Sequence, residues 1–152
     1  MTIKTVNKCL IQAFKDGDVD WIIHQVNSQG VMGGGIAKQI KEEFPNHFER
    51  YEKYCNKYSR LLGTVFSVDG VVGVFGQDHY GIGERHTNYA ALLSGLDSFM
   101  GELLAEYSDY TKIGIPHGIG CGLGGGDWTI MRMLLEDLQK MYPEIELVFY
   151  HL

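Results

Sequence analysis

The chain has 152 residues, of which 45% are hydrophobic and 21% are charged, and its net charge is −6. These are ordinary globular values, and a chain of this length buries a sizeable core without a disulfide or a metal, so disordered and fibrous classes are excluded. The negative charge disfavours binding along a nucleic-acid backbone. We expect one domain over residues 1–152.

Three cysteines, Cys9, Cys55 and Cys121, are odd in number and widely spaced, and none belongs to a CxxC pair. This pattern fits a reducing compartment and indicates no zinc site. No apolar stretch approaches the roughly 18 residues that a membrane span needs. We therefore expect a cytoplasmic protein without a bound metal or cofactor, and the sequence leaves its oligomeric state open.

In the first half of the chain, strand patterns alternate with helix patterns. The predicted elements are an edge strand, a turn or short helix, a central strand and two helices, at residues 3–6, 10–14, 21–26, 36–44 and about 46–58. The strand at 21–26 is expected to be central because its nearly continuous apolar run is typical of a strand covered on both faces. Pro45 ends the first of the two helices.

The second half begins with a hairpin. Two apolar runs, 64–68 and 71–75, flank Asp69-Gly70, a two-residue signal for a tight antiparallel turn. After a loop of uncertain shape, the pattern predicts a helix, a strand, a helix and a strand at 88–106, 112–116, 127–141 and 146–150. This alternation predicts an α/β fold with three α/β/α layers and a mixed, mostly parallel central sheet.

Two glycine-rich stretches, 33–35 and 118–126, each join a predicted strand to a predicted helix. Glycine leaves backbone N–H groups unobstructed, and the following helix adds unpaired amides and the positive end of its dipole. Because ligands bind outside the carboxyl ends of parallel strands, two such loops would hold a diphosphate from both sides. The alternative is that the glycines only permit tight turns and close packing.

The first glycine loop matches neither the GxGxxG dinucleotide fingerprint nor the GK[ST] phosphate loop. The residues that carry a family resemblance are Ile23-His24-Gln25-Val26-Asn27, Gly33-Gly34-Gly35-Ile36-Ala37, Ile115-Pro116 and Gly118-Ile119-Gly120-Cys121-Gly122-Leu123. They resemble the macro domain, an ADP-ribose-binding α/β/α fold, over essentially the whole chain. Within that family the chain looks most similar to small stand-alone proteins of the ADP-ribose 1″-phosphate phosphatase type.

The resemblance implies a set of binding residues. Asn27 would hydrogen-bond the distal ribose, and Tyr150 or Phe149 would border the adenine. The first loop would wrap that ribose and the adjoining phosphate through Gly33, Gly34, Gly35 and Ile36. The second would hold the diphosphate through Gly120, Cys121, Gly122, Leu123 and Gly124. The alternatives are that the Asn27 side chain caps its own turn and that the aromatic rings pack in the core.

The sequence also departs from the family. Many macro domains carry Gly-Asp near the first strand, where the Asp reads the adenine amino group, whereas this chain has Lys8-Cys9. Hydrolases that use a lysine–aspartate mechanism have an Asp at the place of Gly124, and no lysine lies between Val74 and Arg85. Covalent lysine chemistry is therefore not expected.

Two residues are candidates for chemistry, His24 and Asp127. An imidazole acts as base, acid or nucleophile near neutral pH, and the phosphatase-like relatives carry a histidine at the place of His24. Strand alternation, however, puts His24 and Asn27 on opposite faces, so a buried structural histidine is the alternative. Asp127 could orient a water, or it could simply cap the following helix. His117 follows a strand end and could approach the site.

The expected function is hydrolysis of ADP-ribose 1″-phosphate to ADP-ribose and phosphate by a phosphoric monoester hydrolase. The alternatives are a non-catalytic ADP-ribose reader and an ADP-ribosyl hydrolase that removes ADP-ribose from modified macromolecules. The expected partner in each case is ADP-ribose or its 1″-phosphate, with no membrane and no preference for nucleic acid.

Overall fold

A computed structural model of the protein describes residues 2–81, 83–106 and 110–151. The expected domain limits, residues 1 and 152, lie outside these ranges. In chain order, the elements are β1 (Lys4–Val6), α1 (Leu10–Lys15), β2 (Trp21–Asn27), α2 (Gly35–Glu43), α3 (Pro45–Lys57), β3 (Val65–Val68), β4 (Val71–Gln77), α4 (Tyr89–Glu106), β5 (Thr111–Pro116), α5 (Trp128–Met141) and β6 (Ile145–Tyr150).

The strands form one sheet in the order β1-β6-β5-β2-β4-β3. Every neighbouring pair is parallel except β3 and β4, which are antiparallel. The predicted mixed, mostly parallel sheet is therefore confirmed, as are the edge position of β1 and the inner position of β2. The carboxyl ends of β6, β5, β2 and β4 lie side by side, and this shared edge is where a ligand site is expected.

The turn between β3 and β4 follows the sequence signal. Asp69 and Gly70 both have positive φ, 55° and 84°. This conformation at both central residues is that of a type I′ turn, whose twist matches the flanking strands. The hairpin adds the one antiparallel edge to the sheet.

The core has two sides because successive strand residues point to opposite faces of the sheet. On β2, Ile23 packs with α4 and α5, whereas Ile22 packs with α1 and α2. A third cluster lies under α3 around Tyr51, on the same side as α1 and α2. Helices thus cover both faces, which confirms the predicted three layers.

Three element bounds differ from the prediction in ways that affect the site. β2 and β4 extend to Asn27 and Gln77, beyond their predicted ends. α3 begins at Pro45, because a proline at the first helical position loses no hydrogen bond. The pairing of β2 with β4 shifts register between Val26 and Asn27. Among the described residues, no helix is both long enough and apolar enough to cross a bilayer.

Candidate functional site

A cavity of about 590 Å³ opens at the carboxyl edge of the parallel strands. The ends of β2, β4, β5 and β6 form its floor, and the two glycine loops form its walls. The predicted binding residues that line it are Asn27, Gly33, Gly34, Gly35, Ile36, Gly120, Gly122, Leu123, Gly124 and Tyr150. The structure therefore brings together most of the residues that the sequence analysis singled out.

The two glycine loops approach each other closely. A Cβ atom added to Gly34 would lie 2.6 Å from Cδ1 of Leu123, so the first loop already touches the second. Gly34 has an extended backbone with φ of −142°, and it is close approach, not backbone strain, that favours glycine here. The loops face each other across one cavity.

Both loops present unpaired amide donors. Gly34 is the N-cap of α2 and supplies no side-chain cap, so the first-turn N–H groups of this nine-residue helix stay free. In the second loop, hydrogen bonds engage the amides of Cys121 and Gly125. Within the described residues, the N–H groups of Gly122, Leu123 and Gly124 have no hydrogen-bond partner. Consecutive free amides of this kind form a concave surface that suits an anion.

The cavity carries no formal charge of its own. Among the described residues, no Asp, Glu, Lys or Arg side chain lines it. The amides and the positive end of α2 are therefore the groups that favour a negative ligand. Neutral amides attract phosphate without the desolvation penalty of a buried lysine or arginine.

Two imidazoles, His117 and His151, line the cavity. Their ring centroids are 4.6 Å apart, and the ring of Trp128 is 4.7 Å from that of His117. Burial lowers the pKa of His117 below its ordinary value, and the nearby His151 and Arg132 lower the pKa further. The lowered pKa favours the neutral form of the His117 ring relative to that of a free histidine.

Asn27 is held rigidly at the end of β2. Its Oδ1 accepts hydrogen bonds from the N–H of Gln29 at 3.0 Å and from the Tyr51 hydroxyl at 2.9 Å. Its Nδ2 donates to the carbonyl of Val31 at 2.8 Å. Since an amide nitrogen carries two hydrogens, one donor of Asn27 is left for a ligand.

His24 does not line the cavity. Its ring is completely buried, and its Nε2 lies 2.8 Å from Nε2 of His47 on α3. A catalytic role for His24 stays a prediction, and in this structure its ring contacts His47 and not the cavity. The expectation that His24 and Asn27 face opposite sides is wrong, because both contact α3, through His47 and Tyr51, where the pairing of β2 with β4 shifts register.

Asp127 does not line the cavity either, and its carboxylate accepts a hydrogen bond from the N–H of Ile130, as an N-cap of α5 does. Cys121 lies in the second loop, but its thiol contacts the carbonyl of Ile119 and does not line the cavity. Phe149 packs in the core, and Tyr150 alone of that pair lines the cavity. Cys9, which packs against the same core cluster as Tyr150, also lines the cavity.

Lys8 does not line the cavity, because its Nζ pairs with Asp16 at 2.8 Å and with Asp18 at 2.5 Å.

The absence of a side chain at position 124 has a steric explanation. A Cβ there would lie 2.4 Å from Oγ1 of Thr87 and 2.8 Å from the carbonyl oxygen of Gly120. An aspartate at position 124, as in the lysine–aspartate hydrolases, would therefore require the loop to move.

The sequence analysis missed three polar residues, Gln25, Gln77 and Thr87. Gln25 and Gln77 line the cavity beside Asn27, and the Nε2 of Gln25 donates to Oε1 of Gln77 at 2.6 Å. Thr87 lies beneath the second loop. For Gln25 a signal existed, because it lies two residues before Asn27, whereas Thr87 sits in a segment without a recognisable pattern.

These features define an α/β/α domain with an uncharged, amide-lined cleft at the carboxyl edge of its sheet. A model of the Macro domain family matches residues 23–134. Since this match covers most of the chain, the protein belongs to the Macro domain family, a family that binds ADP-ribose.

Two curated relatives represent different activities. A DNA ADP-ribosyl glycohydrolase of Mycobacterium tuberculosis is 28% identical over 88% of this chain, which spans only 38% of that relative's length. An ADP-ribose 1″-phosphate phosphatase of Candida albicans is 23% identical over 84% of this chain and 86% of the relative. Both relatives are hydrolases.

Solved structures agree on the fold. The macrodomain of Mycobacterium tuberculosis DarG is 26% identical, with a TM-score of 0.81 over 98% of this chain and 97% of that one. The Thermosipho africanus DarTG structure in complex with ADP-ribose is 22% identical, with a TM-score of 0.71 over 90% of this chain and 39% of that one. These matches show the macrodomain fold.

Proposed function

We propose that this protein binds ADP-ribose in the cavity and hydrolyses ADP-ribose 1″-phosphate to ADP-ribose and phosphate. The observation that carries the proposal is the pair of glycine loops, which present free amides to each other across one uncharged cavity. A diphosphate between two such loops receives hydrogen bonds on both sides. Membership of an ADP-ribose-binding family supports this ligand.

The ligand would lie along the strand ends, with its adenine near Tyr150 and its distal ribose near Asn27. The strand ends from β6 to β4 span three strand spacings, or roughly 14 Å. The free Nδ2 hydrogen of Asn27 would donate to a ribose hydroxyl. The first loop would wrap the distal ribose, and the amides of 120–124 would hold the diphosphate.

In the reaction, a water oxygen bonds to phosphorus while the bond between phosphorus and the ribose 1″-oxygen breaks. Phosphate leaves, and the 1″-oxygen takes a proton to become a hydroxyl. Amide donors around the phosphoryl oxygens stabilise the charge that develops there. The proton that the attacking water loses balances the proton that the 1″-oxygen gains. His117 lines the cavity, but its ring packs against His151 beside Tyr150, at the adenine end of this placement.

The first test is phosphate release from ADP-ribose 1″-phosphate by the pure protein, with EDTA present. We expect turnover well above buffer, and turnover no higher than buffer would refute the phosphatase activity. Calorimetry with ADP-ribose reports binding separately. Tight binding without turnover would identify a non-catalytic reader.

A second test compares two candidates, His117 and Asp127. His117→Asn removes the imidazole at the adenine end, so we expect weaker ADP-ribose binding, with turnover at saturating substrate within about 2-fold of the wild-type value. Asp127→Asn keeps a residue that caps helices well and removes only the carboxylate. A fall in turnover of about 100-fold in His117→Asn would contradict this placement of the ligand, and the same fall in Asp127→Asn would assign the attacking water to Asp127.

A second candidate function is removal of ADP-ribose from modified DNA, because relatives at 28% identity are named DNA ADP-ribosyl glycohydrolases. Two features oppose a lysine–aspartate mechanism here. Gly124 stands where that mechanism has its aspartate, and no lysine among the described residues lines the cavity. Release of free ADP-ribose from ADP-ribosylated DNA would support this alternative, and phosphate release alone would argue against it.

A further inference from the structure

The second glycine loop is tied to the domain by hydrogen bonds from Thr87, through its side chain and its backbone, and from the backbone of His86. The Thr87 side chain is 2% exposed and does not line the cavity. Its Oγ1 donates to the carbonyl oxygen of Gly120 at 2.6 Å. Its backbone N–H donates to the carbonyl oxygen of Gly124 at 3.0 Å, as does that of His86 at 2.8 Å.

These bonds hold both ends of the segment 120–124. The carbonyl oxygen of Gly120 also accepts a hydrogen bond from the N–H of Gly126 at 2.9 Å. Because Thr87 lies outside the cavity, the two carbonyls are engaged on the side of the loop away from the ligand. A carbonyl oxygen turned toward a phosphate would repel it, so this orientation favours an anion in the cavity.

The hydroxyl of Thr87 has its direction set by a neighbour. Nε2 of Gln25 donates to Oγ1 of Thr87 at 2.9 Å, which occupies an acceptor position of that oxygen. The single O–H is therefore directed to Gly120. Gln25 also donates to Gln77, so the loop is linked to the ends of β2 and β4.

We propose that Thr87 is a positioning residue, whose hydroxyl anchors the second glycine loop so that the amides of Gly122, Leu123 and Gly124 point to the diphosphate. The inference rests on the proposed function, because it names how the diphosphate-binding part of that site is ordered. Thr87 touches no ligand and acts through the loop.

The test uses two substitutions of Thr87 and one elsewhere. Thr87→Val keeps the shape and removes the hydroxyl, whereas Thr87→Ser keeps the hydroxyl. Thr64→Val is the matched control, since Oγ1 of Thr64 also donates to a backbone carbonyl at 2.6 Å, that of Leu61, away from the cavity. Thermal unfolding of all three variants verifies that they fold.

Calorimetry with ADP-ribose gives the first result. We expect Thr87→Val to raise Kd by about 10-fold, equivalent to about 1.4 kcal/mol, because the amides lose their fixed orientation. Thr87→Ser should restore Kd to within about 2-fold, and Thr64→Val should leave Kd unchanged. A wild-type Kd in Thr87→Val, or an equally weak Kd in Thr87→Ser, would overturn the proposal.

Amide hydrogen exchange without ligand gives the second result and does not depend on the proposed function. The N–H of Gly126 shares the Gly120 carbonyl with Thr87, so its exchange should become about 10-fold faster in Thr87→Val and stay unchanged in Thr87→Ser. An unchanged exchange rate in Thr87→Val would overturn the proposal that the Thr87 hydroxyl anchors the loop. If the wild-type protein bound no ADP-ribose, the proposed function would fail, and exchange would still decide whether Thr87 holds the loop.

Discussion

Asn27 ends β2 with its side-chain oxygen accepting hydrogen bonds from Gln29, Val31 and Tyr51 and one amide hydrogen donated to the carbonyl of Val31. Tyr51 on α3 supplies one of those bonds, and its hydroxyl also lies 2.6 Å from the Asn27 carbonyl oxygen. Burial raises the pKa of Tyr51, so its hydroxyl remains a donor over the whole physiological range. A fully buried phenol thus orients the side chain that is proposed to bind the ribose.

Replacing Tyr51 with phenylalanine removes this orientation and keeps the ring packing. We expect Tyr51→Phe to weaken ADP-ribose binding about 5-fold and to lower the free energy of unfolding by about 1 kcal/mol, since one buried hydrogen bond is lost. Calorimetry and urea unfolding measure the two effects. Tyr54→Phe is the control, because Tyr54 packs in the same aromatic cluster without a hydrogen bond to Asn27. Equal affinities of the two variants would contradict the role of Tyr51.

At the residue scale, the sequence indicated Asn27 as a ligand residue but predicted the wrong relative orientation of the His24 and Asn27 side chains. Strand alternation assumes a regular ladder, and the register shift between Val26 and Asn27 breaks it. A bulge of this kind depends on the pairing of β2 with β4, which a single strand's pattern does not contain. The buried pairing of His24 with His47 was hidden for the same reason, because it depends on how α3 packs.

At the scale of elements, the amino end of α2 is the clearest ligand-facing feature. Gly34 is its N-cap, and the side chain of Leu123 from the second loop lies against it. Because φ at Gly34 is −142°, larger residues adopt this backbone without strain, and a Cβ atom there requires only that the flexible end of the Leu123 side chain shift. Substitutions at position 34 should therefore affect ligand binding much more than folding stability.

We expect Gly34→Glu to abolish ADP-ribose binding with little change in melting temperature, because its carboxylate would occupy the phosphate position beside free amides. Gly34→Gln has nearly the same size without the charge, and it should retain more affinity than Gly34→Glu. Calorimetry and thermal unfolding measure both variants. Unaltered affinity in Gly34→Glu would contradict the proposed phosphate position, and equal losses in both variants would assign the effect to size alone.

The elements themselves were largely predictable. The periodicity of apolar residues predicted the bounds of every helix and strand to within about two residues, because the pattern of each element lies within its own segment of the sequence. The meeting of the two glycine loops was also predictable, since parallel strands share their carboxyl edge. The loop anchor at Thr87 was not predictable, because its partners Gly120 and Gly124 are more than thirty residues away and accept the hydrogen bonds through backbone carbonyls, which carry no sequence signal.

At the scale of the whole molecule, the buried pair His24 and His47 links stability to pH. His47 stacks on Phe66 with ring centroids 4.7 Å apart, inside the aromatic cluster under α3. Burial lowers the pKa of His47 to about 4 and also lowers the pKa of His24, which the adjacent His47 lowers further.

The direction of the pH effect follows from proton counts. In the unfolded chain both imidazoles bind protons as the pH falls below about 6.5. In the folded protein His47 stays neutral down to about pH 4, and burial also holds the pKa of His24 well below its ordinary value. The unfolded state therefore binds more protons in this window, so the free energy of unfolding decreases as pH falls. Each histidine adds a slope of up to about 1.4 kcal/mol per pH unit.

Urea unfolding at several pH values between about 7 and about 4.5 measures this slope. We expect the double variant His24→Leu with His47→Phe to have a flatter dependence than the wild-type protein, by up to about 2.7 kcal/mol per pH unit. Absolute stability is not the test, because the new side chains repack the cluster. His79→Gln is the control for the loss of a histidine as such, since His79 is exposed and lies outside the aromatic cluster. Parallel curves for the wild-type protein and the double variant would mean that the pair titrates alike in both states, and acid sensitivity would then belong to other groups.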